Sequence, residues 1–306
     1  MMGEEFLVVG PGAMGCLFAA RLKAAGYGVT LLDYSPERAG QISETGLSVE
    51  GVSGEANVSV PVITGGAIAP PDFVLICVKS HKTEEAGLKV RELLQGSPVV
   101  VTLQNGVGHV ETLGKIFGRE NVLGGVTSEG ATVLGAGRIR HAGRGETYVG
   151  PAGESAERLA RAFNRAGFKT ECVEEVDGLI WGKLVVNVGI NALTAVTRLR
   201  NGRLAEIHHT RRVMARAVEE AVAVSKAKGI SLPYPDPMER VVSVCRATAG
   251  NVASMLQDVL NERVTEVDYI NGAVVREGAA LGVSTPVNEV LACLVRTIQE
   301  TYAERM

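Results

Sequence analysis

Four apolar residues, Phe6-Leu7-Val8-Val9, run directly into Gly10-Pro11-Gly12-Ala13-Met14-Gly15, and this join constrains the fold more than any other stretch. The apolar run reads as a strand and residues 16–25 as a helix, so three glycines at GxGxxG spacing occupy a strand-to-helix turn. Each glycine then has its own use. The first permits the tight turn, the second lets backbone approach a pyrophosphate, and the third lets helix and strand pack closely. The helix N-terminus offers unpaired N–H groups and a positive dipole end to phosphates. The competing reading is a tight turn with no ligand. The strand-turn-helix setting favours the ligand, which makes Gly10, Pro11, Gly12, Ala13, Met14 and Gly15 the candidate cofactor-binding residues of a Rossmann-type unit.

The following residues extend that unit. Asp33 ends a second strand, 29–32, about 20 residues beyond the glycine loop, where an acid accepts hydrogen bonds from an adenosine ribose and disfavours a 2′-phosphate. On that ground Asp33 favours NADH, with Arg38 within reach of a phosphate nearby, and Asp33 also reads as a cap for the helix beginning at 35–38. Residues 47–63 read as a small hairpin excursion. The continuous apolar run 72–78 is typical of a parallel strand buried on both faces, and Lys79 stands at its carboxyl end, where open α/β sheets bind ligands. A solvated lysine in an ordinary turn is the plainer reading. A helix at 83–94 and a strand at 98–102 lead to Asn105-Gly106, which is either a turn or a second ligand-facing strand end. Residues 131–151 alternate and predict antiparallel strands at the end of the sheet, and a helix at 155–166 and a strand at 170–173 close the unit.

From residue 176 onward the pattern is helical, so the expected organisation is an α/β domain at 1–175 and an all-α domain at 176–306. The helical half opens on Trp181 to Ala195, almost wholly apolar except for Lys183, Asn187 and Asn191 at every fourth position. On a helix these three share an arc of roughly 80°. A polar stripe in such a segment needs internal partners or a cleft, or it is the wet edge of an interface helix. Gly182 and Gly189 stand beside it and are expected to shape the pocket edge. A turn at 201–202 and helices at 210–228, 238–247, 252–260, 266–281 and 287–304 follow, with Gly229 and Gly282 as stops and Thr285 as a cap. The last of these is long enough to supply a homodimer contact. His208-His209 lacks a third ligand at useful spacing and reads as surface, so no metal site is expected.

A net charge of −3 gives no basic footprint for nucleic acid or an anionic membrane. No apolar run is expected to approach bilayer length, and the acidic start Met1-Met2-Gly3-Glu4-Glu5 does not read as a signal peptide. Five scattered cysteines among apolar residues read as reduced core thiols, which places the protein in the cytoplasm.

The run Trp-Gly-Lys-Leu-Val-Val-Asn-Val-Gly-Ile-Asn-Ala-Leu-Thr-Ala at 181–195, with Ser254-Met255-Leu256-Gln257-Asp258 and Thr265-Glu266-Val267-Asp268-Tyr269-Ile270-Asn271-Gly272, resembles the ketopantoate reductase (2-dehydropantoate 2-reductase) family. The likeness extends from the glycine loop through almost the whole chain. It implies reduction of a small 2-oxo acid by NAD(P)H, with Lys79 and Asn105 completing a pocket in which Asn187 and Asn191 bind substrate and Ser254 helps hold its carboxylate. The family generally uses NADPH and often has arginine where Asp33 stands, so family habit and local chemistry disagree on the cofactor.

Ketone reduction needs a proton donor, and Lys183 is the expected general acid, with Glu266 as an acceptor for substrate and lysine. Burial lowers a lysine pKa and a carboxylate neighbour raises it, and the sequence leaves that balance open. Glu266 also reads as a helix N-terminal acid. A reductase of another branched 2-oxo acid and a non-enzymatic NAD(P)H sensor remain as alternatives; the sensor has no need of Lys183 with Glu266.

Overall fold

The computed structural model describes residues 3–94 and 96–304, which form two compact units. The first takes the described residues up to Gln104 together with His109–Val176; the second takes Asn105–Gly108 and the described residues from Asp177. Along the chain the first unit runs β1 (Glu5–Val9), α1 (Ala13–Ala24), β2 (Gly28–Leu32), α2 (Pro36–Thr45), β3 (Leu47–Gly51), β4 (Ala56–Val58), β5 (Val62–Ile63), β6 (Phe73–Ile76) and α3 (Thr83–Leu93). It continues with β7 (Val99–Thr102), α4 (His109–Phe117), β8 (Val122–Thr127), β9 (Gly130–Gly135), β10 (Arg138–Gly143), β11 (Thr147–Gly150), α5 (Glu154–Arg165) and β12 (Thr170–Cys172).

Eight strands form the main sheet in the order β12-β11-β8-β7-β6-β1-β2-β5, parallel except where β11 meets β8. The chain builds outward from β1 through β2 to β5, then crosses to β6 on the other side of β1. The glycine loop therefore leaves the carboxyl end of the strand where the order reverses, the usual ligand crevice of such sheets. Alternation along β1 serves two cores: Phe6 and Val8 pack with α1 and α5, while Leu7 and Val9 pack with α3 and α4.

Residues 130–143 do not end the main sheet as the sequence predicts. β9 and β10 leave it and join β3 and β4 in a second sheet, ordered β4-β3-β10-β9, with β10 parallel to β3. The reason lies in α1, which buries Cys16, Leu17, Phe18, Ala19, Ala20 and Leu22 and so has no polar face to leave in water. It needs cover on two sides. Leu47, Val49 and Ile139 of the second sheet supply it, and Phe18 packs against Phe163 and Phe168 at ring distances of 5.3 and 5.1 Å.

The second unit is helical: α6 (Asp177–Thr197), α7 (Asn201–Glu206), α8 (His208–Ala227), α9 (Pro237–Ala247), α10 (Ser254–Leu260), α11 (Asn271–Leu281) and α12 (Pro286–Glu300). α6 packs against α8, α9, α10 and α12. By length and composition it is long and apolar enough to cross a membrane, contrary to the sequence expectation, but 67% of its most apolar window is buried inside the protein. Such burial is that of a core helix. The predicted turn at Asn201-Gly202 is instead the first turn of α7, which approaches so closely that a Cβ on Gly202 would lie 2.7 Å from Ala249 Cβ.

Three further details differ from the sequence reading. Thr285 precedes α12 but its side chain does not cap it; the Glu220 carboxylate, from α8, accepts from the N–H groups of Val287 and Asn288 at 2.9 Å each. Glu266 opens only a single 3₁₀ turn, Val267–Tyr269, because the chain breaks at Ile270 before α11 begins. Of the cysteines, Cys293 is exposed on α12 rather than in the core.

A Cβ at Gly15 would fall 2.1 Å from the Gly10 carbonyl oxygen, whereas one at Gly12 would meet nothing within 4 Å. Gly15→Ala should therefore lower stability by about 2 kcal/mol or more, and Gly12→Ala by no more than about 0.5 kcal/mol. Urea denaturation checks both; an unchanged midpoint for Gly15→Ala would show that the loop relaxes freely.

Candidate active site

The glycine loop ends in an uncapped helix. Gly12 is exposed at the N-cap of α1 with no side-chain cap, and the space before it is open, while Gly10 (φ +93°) and Gly15 are close-packed and leave no room for a side chain. Ala13 and Met14 follow half-buried in the first turn, and Pro11 is buried, its carbonyl accepting from Cys16 Sγ at 3.3 Å. The first-turn N–H groups of α1 have no side-chain cap, and Gly12 adds no bulk in front of them. These residues could hold a pyrophosphate, so the chain fits a dinucleotide at this loop.

Asp33 is paired with Arg38. Its side chain is fully buried, with Oδ2 accepting from Arg38 Nε at 2.6 Å and Oδ1 from Arg38 Nη2 at 2.5 Å and from Ser35 N at 3.1 Å. Ser35, not Asp33, caps α2, accepting from Arg38 N at 3.3 Å. Arg38 is 32% exposed and lies 5.0 Å from the exposed ring of Tyr34. The hydrogen bonds it donates to Asp33 hold its guanidinium charged. Lys79 is exposed three residues past β6, at the start of the 3₁₀ turn Ser80–Lys82.

The second unit gathers another set. Lys183 and Asn187 lie half-buried on α6, with Asn191 buried one turn further along. Asn105 reaches the same unit through the turn that follows β7: Gly106 adopts φ +92°, and a Cβ there would lie 2.3 Å from the Tyr269 carbonyl oxygen. Only glycine permits that approach. Val107 N donates to the Tyr269 carbonyl at 3.2 Å, and Asn105 Nδ2 donates to Glu266 Oε2 at 3.3 Å.

Glu266 is only 8% exposed and exerts its charge on Lys183. Burial dominates that lysine and pushes its pKa down to about 8, with Glu266 opposing the shift. The balance left open by the sequence thus falls to desolvation. Among the described residues no hydrogen bond joins Ser254, exposed at the start of α10, to this group. Gly182 and Gly189 are close-packed: the nearest neighbours of an added Cβ would be Pro233 and Val241, each at 2.8 Å.

The sequence reading missed Thr83, Gln104 and His109. They form a hydrogen-bonded group in the first unit, with Thr83 and His109 buried. Their separations of 21 and 26 residues match no helical or strand period, so no local signal marks them.

Chemistry that needs both a dinucleotide and a proton donor tuned near neutrality is that of the nicotinamide-dependent reductases, and the fold is one of theirs. The family described as Ketopantoate reductase PanE/ApbA matches residues 6–154, and its C-terminal counterpart matches residues 175–299. The chain belongs to the ketopantoate reductase family. It is 36% identical to the 2-dehydropantoate 2-reductase of Halobacterium salinarum over 96% of this chain and 98% of that one, and 36% identical to that of Archaeoglobus fulgidus over 98% and 99%. The solved structure of a PanE/ApbA family ketopantoate reductase from Ralstonia eutropha JMP134 superposes with a TM-score of 0.90 at 35% identity, covering 98% of this chain and 100% of that one. A ternary structure of D-mandelate dehydrogenase with NADH and anilino(oxo)acetate also reaches 0.90, at 27% identity over 98% and 99%.

Lys183 should titrate near pH 8, well below the ordinary lysine value of about 10.4. Glu266→Gln removes the opposing negative charge and should move the titration lower still. Nuclear magnetic resonance of ¹³C-methylated lysines, assigned with Lys183→Arg, reads both; an upward shift in the Gln variant would contradict the assigned balance.

Proposed function

We propose that the protein reduces 2-dehydropantoate to (R)-pantoate, with Lys183 as general acid and NADPH as the preferred reductant. The observation that carries the reading is a half-buried lysine, its pKa lowered to about 8, beside the Glu266–Asn105 pair in a chain of this family. When bound, the reduced nicotinamide supplies the hydride. As the carbonyl carbon gains hydride, its oxygen develops negative charge, and the Lys183 ammonium stabilises that charge and then donates the proton. Glu266 accepts from a substrate hydroxyl and keeps Lys183 protonated to a higher pH than burial alone allows. Asn187 and Asn191 orient the substrate from the same helix face, Ser254 meets its carboxylate, and Lys79 and Asn105 complete the binding set.

The cofactor preference reverses the one drawn from Asp33 alone. A carboxylate whose two oxygens are taken by one guanidinium has little left for ribose hydroxyls, while Arg38 keeps donors free to pair with a 2′-phosphate in a charge-assisted way. Asp33 thus supports NADPH through Arg38. A second reading, reduction of another branched 2-oxo acid with NADH, draws on the likeness to D-mandelate dehydrogenase.

Initial rates with ketopantoate and a panel of 2-oxo acids, each with NADPH and NADH, separate the two readings. Lys183→Ala should lower kcat by roughly 10²–10⁴-fold with cofactor affinity nearly intact, and kcat/KM for reduction should fall above pH about 8, as the lysine loses its proton. Loss of cofactor binding alone would contradict the acid role. Arg38→Ala should raise KM for NADPH by about tenfold or more, in line with a lost charge-assisted bond, and change KM for NADH little. Equal effects on both cofactors would remove the 2′-phosphate assignment.

A further inference from the structure

The chain leaves the first unit after Gln104, gives Asn105–Gly108 to the second, and returns at His109. Both ends of this four-residue excursion meet one hydroxyl. Gln104 Nε2 donates to Thr83 Oγ1 at 2.9 Å, and Thr83 Oγ1 lies 3.3 Å from His109 Nδ1. Thr83 Oγ1 in turn donates to the Ser80 carbonyl at 2.8 Å. A hydroxyl has one proton and two lone pairs. With the proton spent on Ser80, both lone pairs accept, one from Gln104 and one from His109 as its Nδ1–H tautomer, and the hydroxyl is saturated.

Gln104 is held on its other atoms as well. Nε2 also donates to the Val78 carbonyl at 2.7 Å, and Oε1 accepts from Thr102 Oγ1 at 2.9 Å. Thr83, Thr102 and His109 are 2%, 3% and 4% exposed, so water does not compete for these bonds. The residue after Gln104 is Asn105, whose bond to Glu266 at 3.3 Å is already long for an N–H···O contact. A displacement of a few tenths of an ångström at Gln104, passed along one peptide, would break it.

We propose that Thr83 is a positioning residue for the reaction: its hydroxyl ties both ends of the Asn105–Gly108 loop and thereby sets how Asn105 meets Glu266. This rests on the reading of Asn105 and Glu266 as part of the reducing site. Thr83 touches no substrate in this scheme. It acts only through Asn105, and that dependence separates it from a residue that merely supports the fold.

The test is a double-mutant cycle on the dinucleotide-saturated enzyme with ketopantoate, using Thr83→Val, Thr83→Ser, Asn105→Ala and the Thr83→Val/Asn105→Ala pair. Thr83→Val should lower kcat by about tenfold while the dinucleotide Kd, read by nicotinamide fluorescence, stays within about twofold. Thr83→Ser, which keeps the hydroxyl, should restore kcat to within about threefold of the parent. In the Asn105→Ala background Thr83→Val should change kcat by less than about twofold, since its target is already gone. Full multiplication of the two losses, or a Thr83→Val enzyme with parental kcat, would overturn the proposal. If Asn105→Ala itself keeps parental kcat, the reading of the site fails first, and the two failures are told apart by that single variant. Should Thr83→Val not fold, Gln104→Leu opens the same tie from its other side and enters the same cycle.

Discussion

An ammonium on an otherwise apolar core helix is the constraint on which the second unit depends. Removing a charge from water is costly, and without a carboxylate nearby Lys183 would hold its proton less tightly still. A fully exposed ion pair would hold the proton too tightly. The protein takes a middle course, with burial as the larger effect and one carboxylate opposing it. That carboxylate must itself be buried, and the Asn105 amide meets part of its demand.

Local backbone follows from this arrangement. A continuous helix through Glu266 would direct the Tyr269 carbonyl into its own ladder. The break at Ile270 leaves that carbonyl to Val107, and the Asn105 turn docks there because Gly106 carries no side chain. The irregular stretch between α10 and α11 is therefore a consequence of bringing Asn105 to Glu266, and its sequence cannot be judged by helix propensity alone.

Much of the fold was legible where the signal is local. GxGxxG at a strand-to-helix join, the continuous apolar runs of β6 and β7, the stops at Gly229 and Gly282, and the four-residue spacing of Lys183, Asn187 and Asn191 are properties of neighbouring residues, and periodicity exposes them. Partner choice across long separations was not legible. Nothing near Thr285 announces that Glu220 caps α12, and nothing in 130–143 states that β10 will pair with β3 rather than extend the main sheet. The pairing of Asp33 was hidden for a related reason. An isolated acid at the end of β2 means one thing to a ribose, and an acid clamped by Arg38 five residues away means another, because the pair presents the guanidinium rather than the carboxylate.

α6 resolves two demands with one set of residues one position out of step. Gly178 and Gly182 are four residues apart and Gly189 seven further on, and added Cβ atoms there would meet the Ser231 carbonyl oxygen, Pro233 and Val241 at 2.6, 2.8 and 2.8 Å. Lys183 begins one residue later, roughly 100° around the helix from Gly182, and Asn187 and Asn191 lie further round still, toward the opposite side. The glycine side lets α8, α9 and the loop between them press directly on the α6 backbone, fixing the helix in place. The polar side can then carry three side chains whose positions depend on that backbone and not on a loop. Functional sites tolerate errors of only about half an ångström, and a helix gripped on one face holds the groups on its other side to that standard. The apolar composition that gives α6 the look of a membrane span is what allows it to be gripped at all.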